Sequence, residues 1–303
     1  MSEYIVRCKD ITKLYNGKKV LDSFSMNVRY KDVYGFVGEN GSGKTTIIRI
    51  LTGLVHQNSG TYELFGKSSN NIDILKERKK IGAVVESPSI YLNLSAKDNM
   101  LMQGILVGNN DKNRHREIIE LVGLGDIYDD KKKSCDYSLG MRQRLGIAMA
   151  LLSNPELIIL DEPMNGLDPE GIVEIRNLII KLNKEYNVTF IISSHILTEL
   201  ELVATTYGII SHGHMINEIS KEDLELESKP GIVLSVNDMK KAEALLKAYD
   251  YTVTTNRIVV HSNNINEIMK LMIDNDIIVT SIETKNGNIE DYYLKLIGGN
   301  NNA

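Results

Sequence analysis

The stretch Gly38-Glu39-Asn40-Gly41-Ser42-Gly43-Lys44-Thr45 has the spacing G-x-x-x-x-G-K-[ST]. Glycines at these positions let the backbone wrap closely enough that its N–H groups point at phosphate oxygens, and a helix starting there adds its positive end. In such a loop Lys44 reaches the β- and γ-phosphates of a nucleoside triphosphate, and the Thr45 hydroxyl ligates Mg²⁺. Gly38, Asn40, Gly41, Ser42, Gly43 and Thr46 complete the candidate phosphate site. A second stretch, Leu157-Ile158-Ile159-Leu160-Asp161-Glu162-Pro163, ends four apolar residues on two acids. Carboxylates at the tip of a buried strand are costly unless they meet a cation. Asp161 is the natural Mg²⁺ partner, directly or through water, and Glu162 is the candidate general base for an attacking water. An isolated Asp-Glu pair could equally be a solvated turn; the phosphate loop makes the catalytic reading the stronger.

These groups need a sheet to carry them. Val33–Val37 reads as a strand running into the glycine-rich turn, and 46–54 has the apolar spacing of a helix. Short apolar runs at 5–8, 20–28, 62–65, 81–85, 157–160 and 188–192 read as further strands, the later ones buried on both faces. Helical patterns separate them, so the class is α/β. Strand signals vanish between 94 and 152, where 96–107, 114–122 and 139–152 read as helices, and a helical subdomain of about 92–152 is expected to interrupt the sheet domain. Composition turns charged at Lys221 to Pro230, the expected linker between a nucleotide-binding domain of 1–220 and an accessory domain of 231–298. In the latter, strand 232–236, helix 238–248, strands 251–255 and 257–261, helix 263–275, strand 277–284 and helix 288–297 give a small α+β unit, with a frayed tail from Gly298.

The 303 residues suit two domains, and 42% hydrophobic with 25% charged residues suits a globular chain with a real core. Lys plus Arg number 35 against 40 Asp plus Glu, a net charge of −5, which argues against a nucleic-acid binder held by a basic face. Cys8 and Cys135 are too few and too far apart for a disulfide framework or a zinc site, so a reducing compartment is expected. The N-terminus lacks the pattern of a signal peptide. The longest stretch without Asp, Glu, Lys or Arg, Leu202 to Asn217, is broken by His, Gly and Ser, so no bilayer span is expected.

With both motifs in place, residues 3–218 resemble the ATP-binding subunits of ATP-binding-cassette (ABC) transporters: a phosphate-loop domain with an antiparallel β edge and an inserted helical subdomain. Tyr137-Ser138-Leu139-Gly140-Met141 occupies the place of the family signature L-S-G-G-Q, with Ser138 and Gly140 matching and Tyr137, Leu139 and Met141 departing. The resemblance implies that Ser138 and Gly140 cap the γ-phosphate held by a second subunit, in a head-to-tail homodimer or pseudo-dimer with two ATP at its interface. It also makes Asp168 part of a loop that crosses between subunits, His195 the residue that contacts the γ-phosphate, and Tyr15 the ring that stacks on adenine.

Glu86 stands where the family normally has Gln, in the loop that touches Mg²⁺ or water and faces the membrane partner. A carboxylate there adds charge beside the metal and cannot donate a hydrogen bond unless protonated. Together with the signature and the C-terminal domain it resembles the bacitracin-export and lantibiotic-immunity branch, whose members move antimicrobial peptides away from the membrane. That implies an Mg²⁺-dependent ATPase, cytoplasmic and peripheral on the inner face of the membrane, working with a separate integral membrane subunit and without nucleic acid or membrane insertion of its own. The rival is a soluble translation or repair factor of the same superfamily; a single phosphate loop, no heptad run and the acidic balance weigh against it. Lys131-Lys132-Lys133 reads as a solvated loop, Cys135 as a buried or idle thiol, and His212 and His214, flanking Gly213, as a hairpin turn.

Overall fold

The computed structural model describes residues 3–227, 231–254, 257–262, 264–285 and 289–299, which fall into two compact units, Met1–Ser220 and Lys221–Ala303. In the first, β1 (Tyr4–Tyr15), β2 (Lys18–Arg29) and β3 (Val33–Val37) lead into α1 (Lys44–Leu51). Then come β4 (Ser59–Leu64), β5 (Lys67–Ser68), α2 (Ile74–Arg78), β6 (Ile81–Val84), α3 (Ala96–Val107), α4 (Lys112–Leu121) and α5 (Leu139–Leu151). The unit closes with β7 (Leu157–Asp161), α6 (Pro169–Tyr186), β8 (Thr189–Ser194), α7 (Leu197–Glu201), β9 (Thr206–Ser211) and β10 (His214–Ser220).

The central sheet runs β10-β9-β3-β8-β7-β6, with β9, β3, β8, β7 and β6 parallel and β10 antiparallel at the edge. Every residue of β3, β7 and β8 is buried, as expected for parallel strands covered on both faces. Their C-terminal tips therefore share one rim, with α1 starting beside it. His212 and Gly213, both at positive φ, make the two-residue turn between β9 and β10, the expected hairpin.

The expected antiparallel edge is larger than the sequence suggested. β1, β2, β4 and β5 form a second sheet, ordered β2-β1-β4-β5, which joins the central one through a shared core of Ile5, Phe24, Met26, Phe36, Ile159 and Ile210. A polar clamp on Glu218 also ties the sheets: Tyr34 Oη donates to its carboxylate at 2.7 Å, as do Asn27 N at 2.8 Å and Asn27 Nδ2 at 3.1 Å. A Cβ on Gly208 would lie 2.0 Å from Tyr34 Oη, so only glycine leaves room for this tyrosine.

In the helical region, α3, α5 and α6 start on side-chain caps, with Ser95, Ser138 and Asp168 accepting from the backbone N–H of Asp98, Met141 and Gly171. Lys131, Lys132 and Lys133 are exposed, and Cys135 is exposed rather than buried.

The second unit begins with α8 (Lys221–Glu227), so part of the expected linker is helical, with Glu222 and Asp223 in its first turn where acids suit the helix dipole. Then come β11 (Gly231–Val236), α9 (Met239–Leu245), β12 (Tyr251–Thr254), β13 (Arg257–Val260), α10 (Ile265–Ile273), β14 (Val279–Lys285) and α11 (Ile289–Gly299). The antiparallel order β12-β13-β11-β14 with this connectivity is a split βαβ sandwich, built on Ile232, Leu234, Ile258, Val260, Ile268 and Met272. Gly298 and Gly299 belong to α11; residues 228–230, 255, 256, 263, 288 and 300–303 of the expected linker, strands, helices and tail lie outside the described residues.

Candidate functional site

The loop between β3 and α1 is built for close approach. Gly41 and Gly43 adopt φ of 80° and 113°, and a Cβ on Gly38 would lie 2.5 Å from the Ile210 carbonyl. Lys44 folds back over the loop, its Nζ donating to the carbonyls of Gly38 at 2.6 Å and Glu39 at 3.1 Å. Burial pulls the Lys44 pKa below its ordinary value, against the opposing pull of Glu162 and Asp161. Ser42 Oγ is buried with no hydrogen-bond partner among the described residues, an acceptor and donor without its mate. Val20, Asn40, Gly41, Gly43, Lys44, Thr45, Thr46 and Glu162 line a cavity of about 170 Å³. Glycines at positive φ, a buried ammonium and an unmatched hydroxyl fit a polyphosphate.

Across this cavity lie the tips of β7 and β8. Asp161 is only 2% exposed, and both of its oxygens are engaged: Thr45 Oγ1 donates to Oδ2 at 2.9 Å and Ser193 Oγ to Oδ1 at 2.5 Å. Ser193 Oγ also accepts from Glu162 N at 2.9 Å, so one hydroxyl fixes both acids. Sequence reading passed over Ser193, whose only signal is its place at the β8 tip beside the histidine. Glu162 has φ of 50°, a left-handed turn rare for a side-chain-bearing residue, which swings its carboxylate over the rim. There Oε1 lies 3.7 Å from Lys44 Nζ, and Oε2 lies 2.7 Å from His195 Nδ1. An oxygen pair (Thr45 hydroxyl, Asp161 carboxylate) of the kind that suits a hard divalent cation thus sits beside a carboxylate held at the mouth.

The structure brings Gly38, Asn40, Gly41, Ser42, Gly43, Lys44, Thr45, Thr46, Asp161, Glu162 and His195 together. Other expected residues stand elsewhere. Tyr15 closes β1, 39% exposed, with Lys13 Nζ 5.0 Å from its ring centroid. Ser138 and Asp168 cap α5 and α6 through their own side chains, and Gly140 faces Leu167 and Gly171. Glu86 follows β6 and pairs with the Arg49 guanidinium of α1 rather than joining Thr45 and Asp161 as expected.

Sequence comparison agrees with this geometry. The family described as "ABC transporter" matches residues 21–165. Bacitracin transport ATP-binding protein BcrA of Bacillus licheniformis is 42% identical over 97% of this chain and 98% of its own length. Lantibiotic transport ATP-binding protein SrtF of Streptococcus pyogenes is 42% identical over 71% of this chain and 90% of its own. Among solved structures, cbiO1 from Clostridium perfringens, part of the ABC transporter complex cbiONQ, matches at a TM-score of 0.66 with 25% identity, over 75% of this chain and 92% of that one. These relatives favour the transporter reading over a soluble factor. A phosphate loop facing paired strand-tip acids, and 42% identity to a transport ATP-binding protein over nearly the whole of both chains, place the chain in the ABC transporter family as an ATP-binding subunit.

Proposed function

We propose that the chain hydrolyses MgATP in a pair of cassettes and drives a separate membrane subunit that exports a peptide antibiotic. The observation that carries the ATPase part is the hold on Glu162, pinned by Lys44, His195 and Ser193 at the mouth of the phosphate cavity. Lys44 and the loop amides bind the β- and γ-phosphates, the Lys44 ammonium leaving the Gly38 and Glu39 carbonyls to do so. Thr45 and Asp161 would hold Mg²⁺, which would supply positive charge to offset that of the phosphates. Glu162 orients the attacking water and takes its proton at a carboxylate oxygen, while His195 keeps that carboxylate in place and senses the γ-phosphate. Tyr15 stacks on adenine through its open ring face.

Ser138 and Asp168 cap α5 and α6, and Gly140 packs by Leu167 and Gly171, an arrangement in keeping with action on a second copy. A cassette of the same fold has been solved as a dimer in a post-hydrolysis state with ADP and Pi. For the membrane partner, the support is an exposed apolar face on α3 and the loop before it: Tyr91, Leu92, Met102, Ile105 and Leu106. It adjoins a cavity of about 430 Å³ between β6, α3 and α5. No described helix is long and apolar enough to cross a membrane. A separate membrane subunit, with this chain at its cytoplasmic face, follows the likeness to the transport ATP-binding proteins BcrA and SrtF. A peptide-antibiotic substrate follows BcrA and SrtF. The accessory role falls to residues 231–298.

Glu162→Gln tests the core of the reading. ATP binding should persist, a dimer should accumulate with ATP, and turnover should cease; an unchanged ATPase rate would remove Glu162 from its role.

A further inference from the structure

Helix α1 carries two cations, and each holds an acid at the tip of a neighbouring strand. Lys44, its first residue, lies 3.7 Å from Glu162, which follows β7. Arg49, in its last turn, pairs with Glu86, which follows β6. The two acids are structural counterparts: β6 and β7 are parallel with Val84 level with Leu160, so Glu86 and Glu162 occupy equivalent places two residues on. Both adopt a left-handed backbone, φ of 63° and 50°, unusual for residues other than glycine and a mark of a segment held for use.

We infer that Arg49 is the positioning residue for Glu86, forming with it a charge latch between the phosphate-loop helix and the segment after β6. This rests on the reading of Thr45 and Asp161 as the metal site. With the latch closed, the Glu86 carboxylate is held on α1 by Arg49, while Thr45 pairs with Asp161. With it open, the same carboxylate is free to join them. The pair suits a latch because it is weak: its side chains are 36% and 59% exposed, and exposed ion pairs shift an equilibrium only about two- to five-fold. The latch also explains how this position accommodates an acid where an amide is the family rule, since α1 brings the counter-charge. Among the described residues Glu86 is the carboxylate that Arg49 meets.

The test uses the full chain and a fluorescent, non-hydrolysable ATP analogue, measuring the gain in affinity on adding Mg²⁺. Wild type, Arg49→Gln, Arg49→Lys, Glu86→Gln and Arg49→Gln/Glu86→Gln are compared, with melting temperature as a check on folding. Freeing Glu86 in Arg49→Gln should raise the Mg²⁺-dependent gain about two- to five-fold. Arg49→Lys, keeping the charge, should restore the wild-type ratio, and the double variant should lose the effect because position 86 no longer carries a charge to release. An unchanged ratio in Arg49→Gln, or the same increase in the double variant, overturns the latch. A wild-type chain with no Mg²⁺-dependent gain instead overturns the metal-site reading, and the latch with it.

Discussion

Ser193 links the two acids of the site, so replacing it by Ala has a calculable effect. Its Oγ is fully buried, donates to Asp161 Oδ1 at 2.5 Å and accepts from Glu162 N at 2.9 Å. The Glu162 N–H keeps a second partner, the Ser193 carbonyl at 3.2 Å, so that donor is not orphaned. Asp161 fares worse: with 2% exposure, the released Oδ1 has little access to water. Losing a hydrogen bond to a buried charge costs about 1.5–3 kcal/mol. At about 2–4 °C per kcal/mol for a unit of this size, the cassette should melt roughly 3 to 12 °C lower. Ser194→Ala is the control: among the described residues its Oγ bonds within its own turn, to Ile196 N and O, and not to either acid. Thermal unfolding and ATPase turnover would be measured on the same preparations. Ser193→Ala should also lower turnover about tenfold or more, equivalent to about 1.4 kcal/mol of barrier, as Glu162 loses a restraint. A melting shift no larger than the Ser194→Ala control, with turnover intact, would refute the claim that one hydroxyl sets both carboxylates.

Gly208→Ala should cost about 3 kcal/mol or more, since the new Cβ displaces Tyr34 from Glu218 and overpacks the core; denaturant unfolding would show it, and near-wild-type stability would deny the close approach. Alkaline pH should destabilise the protein, because burial holds the Tyr34 and Cys8 pKa values above their ordinary ones. Both groups stay protonated in the fold while the unfolded chain ionises, so their contribution is complete below the ordinary values of 10.0 and 9.0 and declines as pH rises past them. The fall in stability between pH 8 and about 11 should be shallower in Tyr34→Phe, and an equal slope would exclude Tyr34. Ile105→Asp with Leu106→Glu should abolish co-purification with an integral membrane protein while ATP binding persists, and retained co-purification would move the docking face elsewhere.

The phosphate loop, Asp161 and Glu162 were legible in the sequence because their chemistry is local: spacing of glycines, a strand before, a helix after. His195 was legible only through the family resemblance. Ser193 escaped because a serine at a strand tip has no pattern of its own; what singles it out is Asp161, 32 residues earlier. The Arg49–Glu86 pair, 37 residues apart, escaped likewise, since Glu86 was read toward the metal and its partner depends on how α1 sits against β6. At Lys221–Glu227 one lysine and four acids suggested a charged linker, yet Lys, Leu and Glu form helices readily, and charge alone does not separate the two states. The second sheet was underestimated because strands of this twist and bulge hide their alternation: β1 shifts register on β2 four times.

Strand β3, which delivers the chain to the phosphate loop, pairs on one side with β8 and on the other with β9. Neither neighbour exists on an emerging chain until some 150 further residues have been made, roughly eight to thirty seconds of synthesis. For that interval Val-Tyr-Gly-Phe-Val has no edges to join, and the anion-binding loop it carries has no frame. The nascent protein is thus at its most vulnerable to misassembly where its finished form is most constrained, and a nucleotide cannot template the site early, because β7, which ends on Asp161, and β8, which His195 follows, arrive more than a hundred residues after the loop.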